Sequence, residues 1–150
     1  MNSISVILML IAGAGVAAQI AINAHLRAVS GSALWAANIT FAVSMLLGLG
    51  VTAVAFPLGA VTLPSPALWR APIWVWAGGL GGAAYVLLAV VLAARLGALL
   101  LSAAGIVGQL AASLLIDHYG WFGMAVQPVT PPRLIGVALL AAGVVLIRWK

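Results

Sequence analysis

Apolar residues run in long blocks along this chain, and polar residues gather in the gaps between them. Five blocks stand out, at about residues 4–23, 33–56, 73–93, 98–116 and 134–147. A helix needs roughly 20 mainly apolar residues to cross about 30 Å of hydrocarbon. None of the blocks shows the period-two alternation of an outer-membrane strand. The pattern predicts five membrane-spanning helices, the fifth the shortest. The first block lacks the basic n-region of a cleaved leader and exceeds its usual apolar length of about 7–15 residues, so it is expected to be a span.

The gaps carry residues that stop helices. His25 and Arg27, followed by Ser30-Gly31-Ser32, are expected to end the first span with charge and turn residues. Pro57, Pro64, Pro66 and Pro72 punctuate the second connection, where a helix cannot continue. Arg95-Leu96-Gly97 reads as a very short turn, making spans three and four a tight antiparallel hairpin. The longest connection runs from Asp117 to Pro132 and closes on Thr130-Pro131-Pro132. Tryptophan concentrates at the bilayer interface, and Trp35, Trp69, Trp74, Trp76, Trp121 and Trp149 all fall near predicted span ends.

Composition narrows the class. Of 150 residues, 66% are hydrophobic and 5% charged, whereas an ordinary globular chain is about half apolar and about a quarter charged. A single acid, Asp117, faces six basic residues. Too few polar side chains remain to cover a soluble fold. A soluble enzyme, a nucleic-acid-binding domain and a disordered tail are excluded. With no cysteine, there is no disulfide, thiolate nucleophile or cysteine metal site. The expected fold is an all-α integral membrane protein, with residues 1–150 forming one five-helix transmembrane domain.

Orientation follows the Lys/Arg bias of short loops. Arg27, Arg95, Arg148 and Lys150 would share one side, and Arg70 and Arg133 the other. The split favours an outside N-terminus and a cytoplasmic C-terminus. A margin of two residues leaves insertion in both orientations open. Two oppositely oriented copies of an odd-span chain would form an inverted repeat of the kind transporters use.

Polar residues inside spans must find partners away from lipid. Gly15, Gln19 and Asn23 recur at four-residue spacing on the first span and share a face. Ser102, Gly105, Gln109, Ala112 and Ser113 make a similar stripe on the fourth. Asn38 and Ser44 lie on the second without forming a row. Two readings stay open for Gln19, Asn23 and Gln109: helix-to-helix hydrogen bonds, or contacts to a polar solute. Asn38, Ser44, Ser102 and Ser113 read first as packing groups, with Asn38 kept among the candidate substrate contacts. Gly15, Gly78, Gly82, Gly105, Gly136 and Gly143 are expected at close helix crossings, because small residues let backbones approach. Unwinding of the Gly78–Gly82 cluster to offer bare backbone to a substrate is the alternative.

No Asp, Glu or Lys falls within a predicted span, so an obvious intramembrane proton carrier is missing. His25 reads as an interfacial polar residue. Asp117-His118 invites comparison with a catalytic or metal pair, but helical neighbours point in different directions and zinc needs three or four protein ligands. No catalytic residue, metal or cofactor is expected, and the chain does not read as an enzyme.

Two stretches carry a resemblance. One is Gly15-Val16-Ala17-Ala18-Gln19-Ile20-Ala21-Ile22-Asn23-Ala24-His25-Leu26-Arg27, continued by Gly31-Ser32-Ala33-Leu34 and Asn38-Ile39-Thr40-Phe41-Ala42-Val43-Ser44. The other is Gly108-Gln109-Leu110-Ala111-Ala112-Ser113-Leu114-Leu115-Ile116-Asp117-His118-Tyr119-Gly120, with Pro132-Arg133-Leu134-Ile135-Gly136-Val137 after it. Both resemble the short, five-helix YdcZ-like branch of the drug/metabolite transporter superfamily, over nearly the whole chain.

The resemblance implies a multi-pass protein of the bacterial inner membrane. It would be half of an inverted-repeat transporter, completed by a second copy or by a sister five-helix chain. Gln19, Asn23, Gln109 and Asp117 fall on recurrent polar positions of that branch. A related branch of small multidrug exporters places a Glu in its first helix, where this chain has Gln19, which argues against antiport of cationic drugs. The expected function is small-molecule transport by alternating access, as a homodimer, antiparallel or not, or as a heterodimer. Membrane lipid and a neutral or zwitterionic solute are the other expected partners. The rival is a non-transporting membrane subunit that stabilises or regulates a partner complex.

Overall fold

A computed structural model describes residues 3–149; Lys150, used in the charge count above, lies outside them. The described residues are helical, without strands. In chain order they form α1 (Ser3–Ser30), α2 (Ala33–Ala55), a 3-10 turn (Pro66–Arg70), α3 (Ile73–Trp76), α4 (Gly78–Tyr119), a second 3-10 turn (Trp121–Gly123) and α5 (Pro131–Arg148). Among them, four helical stretches are long and apolar enough to cross a membrane: Ser3–Ser30, Ala33–Ala55, Ile73–Tyr119 and Pro131–Arg148.

The boundaries mostly follow local chemistry. Ser32 caps α2, its hydroxyl accepting from the Trp35 amide at 3.4 Å. α2 ends at Ala55; Phe56 keeps helical dihedrals and its amide donates to the Thr52 carbonyl at 2.9 Å, but Pro57 has no N–H to continue the ladder. Pro131 and Pro132 occupy the first turn of α5, where a missing N–H costs nothing.

Two helices extend beyond the apolar blocks. α1 does not end at residue 23. It continues through His25 and Arg27 to Ser30, and left-handed Gly31 (φ +70°) then closes it, its amide donating to the Arg27 carbonyl at 2.9 Å. The charge of Arg27 does not stop the helix because its guanidinium finds acceptors inside the protein. α5 begins at Pro131, three residues earlier than the apolar block, because proline favours the first helical turn.

Spans three and four form a single element, α4, interrupted at Gly97, whose φ of 72° and ψ of 164° are non-helical. That backbone region is essentially reserved for glycine. Upstream, α3 is one turn that ends at Ala77 before helix resumes at Gly78. The Gly78–Gly82 cluster is helical rather than unwound.

The described residues fall into two compact units. Ala18–Ala94 form one. Its core is made by Ile20 and Asn23 of α1, Ala36 and Ala37 of α2, and Ala89, Val90 and Ala93 of α4, all buried. The alanines at this crossing let the backbones come close. The other unit joins the start of α1 to the second half of α4 and α5, with Leu101 buried. Most other large apolar side chains on the spans are exposed, as expected of helices that face lipid or a neighbouring subunit.

Candidate functional site

In the Ala18–Ala94 unit, the polar stripe of α1 meets its partners at successive turns. Asn23 is 5% exposed. Its side-chain oxygen lies 2.7 Å from the Thr40 hydroxyl of α2, which donates to it. The same hydroxyl lies 3.0 Å from the Ala36 carbonyl. One proton serves one acceptor at a time, so these two bonds alternate. The Asn23 amide nitrogen donates to no described residue.

One turn before Asn23, Gln19 is half-buried and makes no hydrogen bond with any described residue. One turn after it, Arg27 reaches α4. Its Nη1 donates to the carbonyl oxygens of Val90 at 3.1 Å and Val91 at 3.0 Å. These carbonyls lie near the end of the helical segment 78–96, where the helix dipole favours a cation. Sequence reasoning missed this role for Arg27. Its signal was the four-residue spacing Gln19, Asn23, Arg27, which puts the arginine on the same packed face.

The remaining candidates are distributed differently. α2 buries the face carrying Ala36, Ala37 and Thr40, so Asn38, about 200° round the helix from Thr40, is exposed. Asn38 is not brought to Asn23. Ser44 is exposed too. Thr52 satisfies itself, donating to the Gly48 carbonyl at 2.9 Å. In the other unit, Gln109 is exposed on α4, and the Ser102 hydroxyl oxygen is buried with no hydrogen-bond partner. Nothing lies within 4 Å of a Cβ built at Gly15, Gly78, Gly82, Gly136 or Gly143. Within the single chain those glycines border open space. Gly105 is half-buried.

That second unit also holds a polar cluster that sequence reasoning did not assemble. Arg133 Nη2 donates to Asp117 Oδ2 at 2.9 Å and to Gln127 Oε1 at 3.0 Å, while its Nη1 donates to the Gln127 carbonyl at 3.2 Å. The Gln127 amide donates to the Asp117 carbonyl at 2.8 Å. The chain thus folds back from the end of α4 to the start of α5 around one ion pair, whose side chains keep 21% exposure at Asp117 and 34% at Arg133. His118 points elsewhere and accepts from the Val129 amide at 3.3 Å. The available signal was that a lone acid at a span edge needs a partner, and Arg133 opens the next span. Beside this pair is an open cleft of about 320 Å³, with Ser113, Leu114, Gly136 and Leu140 in its wall.

Chemically, the first cluster offers amide groups with unspent hydrogen-bonding capacity on an otherwise apolar scaffold. It contains no carboxylate to bind a cation or carry a proton. The second offers one carboxylate and one guanidinium already joined.

Compared with known protein families, the chain matches the model described as "Putative inner membrane exporter, YdcZ" over residues 4–146. No curated protein and no solved structure matches it.

Proposed function

The chain belongs to the YdcZ family of inner membrane exporters, a multi-pass transporter family, and on that premise we propose that it carries neutral or zwitterionic small molecules across the membrane by alternating access, as one subunit of a dimer. The observation that carries this reading is the set of amides left without partners: Gln19, the Asn23 nitrogen, Asn38 and Gln109. An unsatisfied polar group in hydrocarbon costs several kcal/mol. Groups of this kind belong against a water-filled path or a second subunit. Gln19 and Asn23 would meet the solute, and Asn38 and Gln109 would face the partner chain or the path that it completes. The open glycine faces of α1 and α4, at Gly15, Gly78 and Gly82, give such a partner room to approach closely.

Length favours five crossings. The stretch Ile73–Tyr119 has 47 residues, which as a straight helix would extend roughly 70 Å, more than twice the hydrocarbon thickness of about 30 Å. The non-helical Gly97 is the proposed boundary between two spans. Five spans per chain, with a weak charge bias, suit an antiparallel pair. A homodimer is the simplest assembly, and a sister chain of opposite orientation serves the same geometry. Beside a sister chain, this one would take the orientation with its N-terminus outside.

The test has two parts. Cells expressing the chain should retain less of at least one labelled neutral or zwitterionic solute than cells expressing Gln19→Leu or Asn23→Leu at equal membrane abundance. A tag at the C-terminus should be readable from both sides of the membrane if the dimer is antiparallel and built from this chain alone. Equal retention for every solute in the panel would remove the transport assignment and favour the rival role of a stabilising subunit. A C-terminus on one side only would require a sister chain or a parallel pair.

A further inference from the structure

We propose that the seam between the second half of α4 and α5 holds one phospholipid with an amine-bearing, zwitterionic headgroup of the phosphoethanolamine type. The mouth of the seam is the Asp117–Arg133 pair, at the end of one spanning segment and the start of the next. Counting donors and acceptors shows what this pair has left. Asp117 Oδ2 is taken, and Oδ1 accepts from no described residue. Arg133 has five N–H groups; three serve Asp117 and Gln127, leaving Nε and one Nη1 hydrogen. The mouth therefore presents one anionic acceptor beside two cationic donors and carries no net charge.

A lone cation or anion would have to compete with the existing partner of the ion pair. A ligand bearing both charges meets both ends at once: its ammonium donates to Asp117 Oδ1, and its phosphate oxygens accept from Arg133. A choline headgroup has no N–H to donate, so the free carboxylate oxygen distinguishes the two lipids.

Below the mouth lies a second, apolar cleft. Leu140 borders both the upper cleft and a deeper one of about 200 Å³ walled by Ile106 and Gly143. Gly136 and Gly143 leave the wall open, since a Cβ at either would touch nothing within 4 Å. From Gly136 to Ile147, α5 rises roughly 16 Å, close to the depth of one leaflet at half of about 30 Å. An acyl chain fits that depth with its headgroup at the ion pair. The stacked Tyr119 and Trp121 rings, with centroids 5.4 Å apart, follow Asp117 by two and four residues at this end of the span, where interfacial aromatics are expected.

The experiment uses the full-length protein in vesicles of equal phosphatidylethanolamine, phosphatidylcholine and phosphatidylglycerol, followed by mild extraction and native mass spectrometry. One phosphatidylethanolamine should stay with each chain, enriched roughly tenfold over phosphatidylcholine, the worth of one hydrogen bond to a charged group. Asp117→Asn, which keeps the shape and removes the charge, should bring that ratio close to one while a lipid is still retained. Gly143→Leu, which fills the seam, should lose the retained lipid altogether. Retained lipid in bilayer proportions would overturn the proposal. So would a preference unchanged in Asp117→Asn, or enrichment of phosphatidylglycerol, which would mean that Arg133 acts alone. Asp117→Asn and the wild type decide the matter even if Gly143→Leu does not fold.

Discussion

Replacing Gly97 by alanine isolates one torsional effect. Gly97 has φ 72° and ψ 164° inside α4, and a Cβ built there meets no atom within 4 Å. The added methyl group therefore clashes with no neighbour, and its whole cost is conformational. Non-glycine residues held in such regions cost about 1–3 kcal/mol. Gly108, also in α4, provides the control: its Cβ position is equally open, but its backbone is helical. Alanine there should be neutral, or gain up to about 1 kcal/mol from helix propensity.

The chain lacks cysteine, so a single introduced thiol gives a clean readout. Val90 is 1% exposed, and Val90→Cys is a small change that reports opening of the packed helices. In mixed micelles well below the unfolding midpoint, where the open form is rare, Gly97→Ala should raise the labelling rate of that thiol about thirtyfold, for a penalty of about 2 kcal/mol at roughly 1.4 kcal/mol per factor of ten. Gly108→Ala should leave the rate unchanged or lower it. Equal rates in the two variants would refute the claim that the break at Gly97 is a glycine-only conformation.

Three other outcomes follow from the contacts. A double-mutant cycle with Asn23→Ala and Thr40→Val should give a coupling energy of about 0.6 kcal/mol, the average for such bonds between membrane helices; zero coupling by SDS titration would mean that the 2.7 Å contact contributes nothing. Gly120→Ala should destabilise the connection after α4 more than alanine at Gly136, because Gly120 has φ +64° and its Cβ would lie 2.7 Å from Val126 Cγ2; protease sensitivity of the 120–130 segment reads this, and a resistant variant would count against it. Arg27→Lys should be worse tolerated than its conserved charge implies, since both bonds come from the terminal Nη1 and a lysine nitrogen ends one bond short of that position; thermal stability equal to wild type would show that charge alone suffices.

The limits of the sequence reading have physical causes. Runs of apolar residues and prolines located the long apolar helices, because bilayer thickness and the missing proline N–H act locally. The run of α1 past Arg27 is not legible locally. A guanidinium marks water only when no acceptor lies within reach of its long side chain, and here the Val90 and Val91 carbonyls are 63 and 64 residues away in sequence. The Asp117–Arg133 pair was hidden for the same reason: sixteen residues separate partners that the loop brings to 2.9 Å. Gly97 was readable as a place to turn, since glycine follows a charged residue between two apolar blocks, but its dihedral angles were not.

Polar groups within the spans fall into three kinds, and the kinds imply different sensitivities. Thr52 bonds to its own helix, so it needs no neighbour and its loss should be mild. Asn23 and Thr40 bond across helices, so each fixes the position of the other and their losses should be coupled. Gln19, Asn38 and Gln109 bond to no described residue, which makes them costly in lipid and cheap only against water, a solute or another chain. A residue of that third kind gives the fold nothing by its polarity. Replacing it with leucine should therefore stabilise the isolated chain while weakening assembly or transport, and that opposite movement of stability and activity separates a site residue from one that only joins helices.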